Sequence, residues 1–208
     1  MFGFKSVGTR FVYVVDRSGS MAGSSSSSIL SVTTGLPRRT GPPQSSTSRT
    51  SRLTVAKNEL IQALRQLKPS TVFYVVFYNQ DEQPMPSEDL LPATPSNVER
   101  IVQWIQPIQP DDGTDPAPAM LHALKLRPHT IWLLSDGAFR TQSCDEIRDA
   151  NQKQSTIINT IGFYDKSGER TLKRIADENR GVYRFVAGGT DGPSAAPKAP
   201  RARPPTSR

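Results

Sequence analysis

The chain has 208 residues, enough for one domain with a full hydrophobic core, and carries a formal charge of +7. Its single cysteine, Cys144, excludes an intrachain disulfide, so packing must supply the stability. No apolar run approaches the roughly 18 residues of a membrane helix, and Met1 to Thr9 is too short and polar for a signal-peptide core. Direct membrane insertion is therefore not expected, and a cytoplasmic location is the default unless a partner or an upstream segment anchors the chain.

The first apolar run, Arg10 to Val15, reads as a strand and leads straight into Asp16-Arg17-Ser18-Gly19-Ser20. Alternate positions of an extended or turning chain face one side, so Asp16, Ser18 and Ser20 can converge while Gly19 lets the backbone turn. A turn or a helix cap uses the same residue types. Residues 22–51 follow, a Ser/Arg/Pro-rich stretch holding Arg38, Arg39 and Arg49 without an acid, and they are expected to be a disordered insertion.

A helix is expected from Arg52 to Leu67, with Leu53, Ala56, Leu60, Leu64 and Leu67 on one stripe. A strand from Val72 to Tyr78 follows, then an edge piece near Gln83 to Met85. Ser96 and Glu99 have capping-box spacing, which predicts a helix from Asn97. Gly113-Thr114-Asp115 precedes Pro116, so Asp115 reads as the cap of a helix running through Met120 and Leu124. The strand Thr130 to Ser135 ends on Asp136-Gly137. Ser143 and Glu146 predict a helix from Cys144 to Gln154, followed by a strand from Thr156 to Phe163. A helix from Glu169 to Asn179, closed by Gly181, precedes a last strand, Val182 to Val186.

Residues 188–208 form a basic Pro/Ala-rich tail, expected to be disordered. The insertion and the tail each carry +3, so the rest of the chain is about neutral. Neither basic stretch interleaves aromatics, which argues against nucleic-acid binding. Continuous apolar strands alternating with helical segments predict an α/β fold, with a doubly wound, mainly parallel sheet of about six strands and helices on both faces. The domain would span residues 1–187, interrupted at 22–51. Ligands of such sheets collect at the carboxyl rim of the strands, where Asp16, Thr114 and Asp136 all fall. Their oxygen donors, with neither His nor Cys among them, suit a hard divalent cation such as Mg²⁺.

With FVYVVDRSGSM, GTDPAPAM and IWLLSDG in this order, the chain resembles a von Willebrand factor type A domain with a metal-ion-dependent adhesion site, of the bacterial type. The resemblance runs from about Arg10 to Val186. It implies Mg²⁺ or Mn²⁺ held by the hydroxyls of Ser18 and Ser20, with Thr114 direct or through water and Asp16 and Asp136 mostly through water. It also implies a protein partner that supplies an Asp or Glu to the ion, in adhesion or assembly, with no enzymatic activity. Two departures stand out. The 22–51 insertion is expected to hang over the metal face, as a gate, a lure for acidic partners or a passive loop. No final helix is expected after Val186, and the face it would cover is expected to be filled by Met1 to Gly8, with Phe2 and Phe4 as plugs, or by a partner.

Two other functions fit the pattern less fully. A subunit docking onto an ATPase complex would keep the fold and change the partner. A metal-dependent phosphohydrolase would need a second carboxylate where Ser18 stands. His122, on the helix after Asp115, and His129, beside Pro128, are not placed to activate a nucleophile.

Overall fold

The computed structural model describes residues 8–23, 51–153, 156–163 and 166–186. The expected insertion and tail therefore lie outside the described residues, except Ala22, Gly23 and Ser51; so do Phe2 and Phe4. Among the described residues seven strands form one sheet: β1 (Arg10–Asp16), β2 (Val72–Tyr78), β3 (Glu82–Pro84), β4 (Leu91–Pro92), β5 (Thr130–Ser135), β6 (Ile157–Phe163) and β7 (Tyr183–Val186). Their order is β3-β2-β1-β5-β6-β7, with β4 also paired to β2. The β2-β1-β5-β6-β7 ladders are parallel, and β3 and β4 are antiparallel to β2. Winding reverses at β1, whose neighbours β2 and β5 lie on opposite sides, and that reversal opens a crevice at the carboxyl ends.

The helices are α1 (Arg52–Arg65), α2 (Pro95–Ile105), α3 (Ala117–Lys125), α4 (Gln142–Asn151) and α5 (Glu169–Glu178). α1 packs against α2, while α3, α4 and α5 pack in series. Between these groups the central strands are sealed: Val12, Val14, Ile131, Trp132, Leu133 and Leu134 are fully buried. This explains why the strands read as unbroken apolar runs rather than alternating ones.

Several element ends differ from expectation. α2 starts at Pro95 because Thr94, not Ser96, is its cap and accepts the Asn97 N–H. α4 starts at Gln142 and ends at Asn151; Ser143 does not cap it, since its hydroxyl donates to Asp115 Oδ1 instead. α5 does end before Gly181, but the left-handed residue is Arg180, with φ 58°. The Gly181 N–H closes the turn on the Ala176 carbonyl, and glycine is required there because a Cβ would strike the Ile158 carbonyl. The short strand β4 was not expected; it ends on Pro92, as an edge strand permits.

Candidate functional site

The rim is assembled from four chain segments that meet at the carboxyl ends of β1, β2 and β5. Asp16 is the last residue of β1 and is fully buried. Its Oδ1 accepts the Ser18 N–H at 2.8 Å, which bends the chain back over the strand end. Its Oδ2 accepts two hydroxyls, Ser135 at 2.6 Å and Tyr78 at 3.2 Å. Burial pushes the Asp16 carboxyl above its ordinary range, the Ser135 and Ser18 hydrogen bonds oppose that rise, and the charge of Asp136 adds to it.

A short 3-10 turn, Gly19–Ala22, follows and turns Ser20 back towards Ser18. The two hydroxyl oxygens lie 3.0 Å apart, so the D-x-S-x-S spacing does converge. Met21, fully buried, anchors the turn.

Asp136 directly follows β5, and its side chain is 2% exposed. Its Oδ1 accepts the Ala138 N–H at 3.1 Å, and its Oδ2 takes the Arg52 guanidinium at 3.1 Å. Ser135 joins this segment to the first, since its oxygen also accepts the Gly137 N–H at 2.9 Å. Gly137, with φ 79°, makes a turn that L residues rarely adopt.

Thr114 reaches the same rim through its loop. Asp111 forms an isolated parallel bridge with Ser18, and its N–H donates to the Arg17 carbonyl at 2.8 Å. On the other flank the Asp115 N–H donates to the Asn79 carbonyl at 2.8 Å. Thr114 is half-buried and, among the described residues, makes no direct hydrogen bond to Asp16, Ser18, Ser20 or Asp136. Asp115 is a structural carboxylate: it accepts from Ala117 N–H, Ser143 and Arg140. It thus caps the start of α3 while tying that helix to α4.

Three participants escaped the sequence reading. Asn79, one residue past β2, donates to Asp111 Oδ2 at 3.1 Å and to the Asp112 carbonyl at 2.9 Å, and so holds the Thr114 loop. Tyr78 reads as a core aromatic, yet its hydroxyl serves Asp16. Arg52 reads as the first residue of a helix, yet it serves Asp136 across 84 positions. The one available signal was position: the apolar run of β2 ends level with Asp16, so Tyr78 and Asn79 belong to the same rim.

The donor set is wholly oxygen: two converging hydroxyls, a threonine on the adjoining loop and two buried carboxylates. That composition fits Mg²⁺ or Mn²⁺ and would not suit a thiophilic ion. Among the described residues no group of three or more His, Cys, Asp and Glu side chains is arranged to hold a metal, so any ion here depends on the hydroxyls. Beside the rim lies an open groove of about 550 Å³, lined in part by Arg17, Trp104, Ile108 and Asp111. A larger groove, about 700 Å³, runs along α5 past Lys166 and Arg174 and shares no residue with the rim.

The two histidines are occupied structurally. His122 Nδ1 pairs with Glu82 Oε1 at 3.1 Å and its ring stacks on Tyr74, while His129 Nδ1 accepts the Thr9 N–H at 2.9 Å. Cys144 is buried in the core, which pushes its thiol up. Among the described residues no helix is long and apolar enough to cross a membrane.

A family model described as the von Willebrand factor type A domain matches residues 44–185. Solved structures show the same fold. A conserved hypothetical protein, BatB, from Bacteroides thetaiotaomicron aligns with TM-score 0.60 and 15% identity, covering 88% of this chain and 92% of its own. A von Willebrand factor type A protein from Catenulispora acidiphila aligns with TM-score 0.66 and 17% identity, covering 86% of this chain and 38% of its own. The PilB minor pilin from Streptococcus sanguinis aligns with TM-score 0.57 and 14% identity, covering 89% and 59%. No curated protein sequence matches the chain.

Proposed function

Because the chain belongs to the von Willebrand factor type A domain family, whose members are generally non-enzymatic interaction domains, we propose that it is a cation-dependent protein-binding domain. The ion is Mg²⁺ or Mn²⁺, and the partner supplies an Asp or Glu side chain to it. The observation that carries this reading is the convergence of Ser18 Oγ and Ser20 Oγ at 3.0 Å beside the buried Asp16. Two neutral oxygens so placed would hold the ion directly, Thr114 would add a third directly or through water, and Asp16 and Asp136 would act mainly through water.

When bound, the ion supplies a positive field that neutral ligands leave largely uncancelled, and this is what attracts an anionic oxygen from a partner. The chain's residues orient and limit that field. Asp16 aligns Ser18 through its backbone N–H, Ser135 and Tyr78 fix the Asp16 carboxylate, and Asn79 holds the Thr114 loop. The groove past Trp104 and Ile108 gives a partner apolar surface next to the ion.

Thermal denaturation with and without divalent ion tests the metal. A ligand at about 100 times its Kd stabilises the native state by about 2.7 kcal/mol, which for a chain of this size raises Tm by roughly 5–10 °C. Mg²⁺ or Mn²⁺ should give that rise in the wild-type chain and none in Asp16→Ala. An unchanged wild-type Tm at millimolar ion defeats the proposal. If adhesion is the role, surface proteins bind in Mg²⁺ and release in chelator; a copurifying ATPase instead points to assembly.

A further inference from the structure

Arg52 occupies a position that neither helix formation nor surface solubility explains. It is the first residue of α1, where the helix dipole disfavours a cation. Its side chain is only 24% exposed, and NH1 lies 3.1 Å from Asp136 Oδ2. Its backbone N–H donates to the Gly23 carbonyl at 3.2 Å, and its Nε and Cζ stand within about 4 Å of where a Gly23 Cβ would be. Gly23 in turn donates to the Ser20 carbonyl. Arg52 thus links the serine-bearing turn, through its backbone N–H, to the aspartate after β5, through its guanidinium, the two sides of the rim on which a divalent ion would act.

We propose that Arg52 is an internal counter-ion of Asp136 that competes with the divalent cation, so that metal loading and the Arg52–Asp136 pair exclude one another. This rests on the function proposed above and deepens it. Without metal, Asp136 is a carboxylate with a 2% exposed side chain, and such a charge needs a cation beside it. Arg52 meets that need. With metal present, a guanidinium on the same carboxylate would face a like charge across the rim, and the Asp136 Oδ2 that accepts Arg52 would have to be shared between the guanidinium and the ion's water. Binding metal therefore costs the release of Arg52, which lowers affinity and sets a threshold concentration for loading.

Isothermal titration with Mg²⁺ at low ionic strength compares the full-length wild type with Arg52→Gln and with Arg65→Gln. Arg65 lies on the same helix and pairs with exposed Glu99, so its loss controls for net charge. Arg52→Gln should bind Mg²⁺ about tenfold more tightly, a coupling of ordinary allosteric size, and Arg65→Gln should bind as wild type does. Equal or weaker binding by Arg52→Gln, with wild-type binding intact, overturns the competition and leaves the proposed function standing. No Mg²⁺ binding by the wild type overturns both. A measurement on wild type alone guards against a variant that does not fold. Phenylglyoxal modification of Arg52, followed by mass spectrometry, should accelerate severalfold in Mg²⁺, because a displaced guanidinium is exposed; an unchanged or slower rate overturns the competition.

Discussion

The Ser135 hydroxyl donates to Asp16 Oδ2 at 2.6 Å and joins the ends of β1 and β5 at the point where the sheet changes winding direction. The same oxygen accepts the Gly137 N–H, so Ser135 fixes the Asp16 carboxylate and the turn after Asp136 together. Tyr78 contributes only one, longer bond to Asp16. Ser135→Ala should therefore destabilise the domain by about 1–3 kcal/mol, since it leaves a buried carboxylate and a buried N–H short of a partner. Tyr78→Phe should cost less, about 0.5–1.5 kcal/mol, for one bond lost with the ring still packed. Urea denaturation in chelator ranks the two, and the opposite order would show that Ser135 does not tie the rim.

Asn79 governs the Thr114 loop rather than the serine turn. Its amide donates to Asp111 and Asp112, and its Oδ1 accepts from Arg17 at 3.2 Å and from the Asp81 N–H at 3.3 Å. Asn79→Ala is expected to cost about 1–3 kcal/mol and to weaken Mg²⁺ binding severalfold, because the loop is freed. Asn79→Asp should be no better, since it cannot donate to Asp111 or Asp112 and adds a like charge beside Asp111. Calorimetry on both variants checks this; full Mg²⁺ affinity in Asn79→Asp would mean that the loop is held by other bonds.

The parts of the site that a linear reading finds are those whose chemistry is local. Asp16, Ser18 and Ser20 meet because their spacing is short and Gly19 allows the turn, and Asp136 is visible because an apolar strand ends on it. Arg52 and Asn79 are invisible for the opposite reason: their partners are 84 and 32 positions away, and nothing in an Arg at a helix start or an Asn after a strand names those partners. The same competition explains Ser143. Its spacing to Glu146 satisfies a capping box, but α3 brings Asp115 within 3.1 Å, and a carboxylate accepts a hydroxyl more strongly than a frayed helix end uses one. The five parallel strands were more legible than the helix ends because apolar runs declare them, whereas the polar edge piece β3, the two-residue β4 and every cap depend on which neighbour arrives.

Acid should act on the seam between α4 and α5. Asp145 accepts from Arg174 at 2.6 Å and from Arg148 at 2.8 Å, and the Arg174 hydrogen bond, partly opposed by desolvation, holds its carboxyl below the ordinary range. A depressed carboxylate contributes stability that is present above the unfolded pKa and lost as pH falls through the folded one. Asp145→Asn should therefore lower the urea midpoint at pH 7, and the gap to wild type should narrow as pH falls below the ordinary carboxylate range and the wild-type carboxyl takes up its proton. The gap at pH 7 should also shrink in 1 M salt, because these groups are solvent-screened. A gap that persists at low pH would assign the effect to packing instead of charge.

Gly168 controls Asp136 from a distance of 32 positions through backbone contact alone. It precedes α5 with ordinary dihedrals, φ −88° and ψ 1°, so alanine suits its conformation. The obstacle is the neighbour: a Cβ there would fall well inside contact distance of the Asp136 carbonyl oxygen and the Gly137 Cα, which are main-chain atoms and cannot swing aside. Gly168→Ala must push either α5 away from the sheet or the Asp136 turn towards the serines. Overpacking of this kind costs about 1–3 kcal/mol. Two melting curves separate the routes. If the Asp136 turn moves, the metal-free Tm falls and the rise on adding Mg²⁺ shrinks with it, because the carboxylate no longer meets the ion's water. If α5 moves, the metal-free Tm falls and the Mg²⁺ increment stays whole. The first outcome is expected, since the turn is a single Gly-containing bend, whereas α5 is tied to α4 by Arg174 and to β6 by the Thr160 hydroxyl on the Leu172 carbonyl.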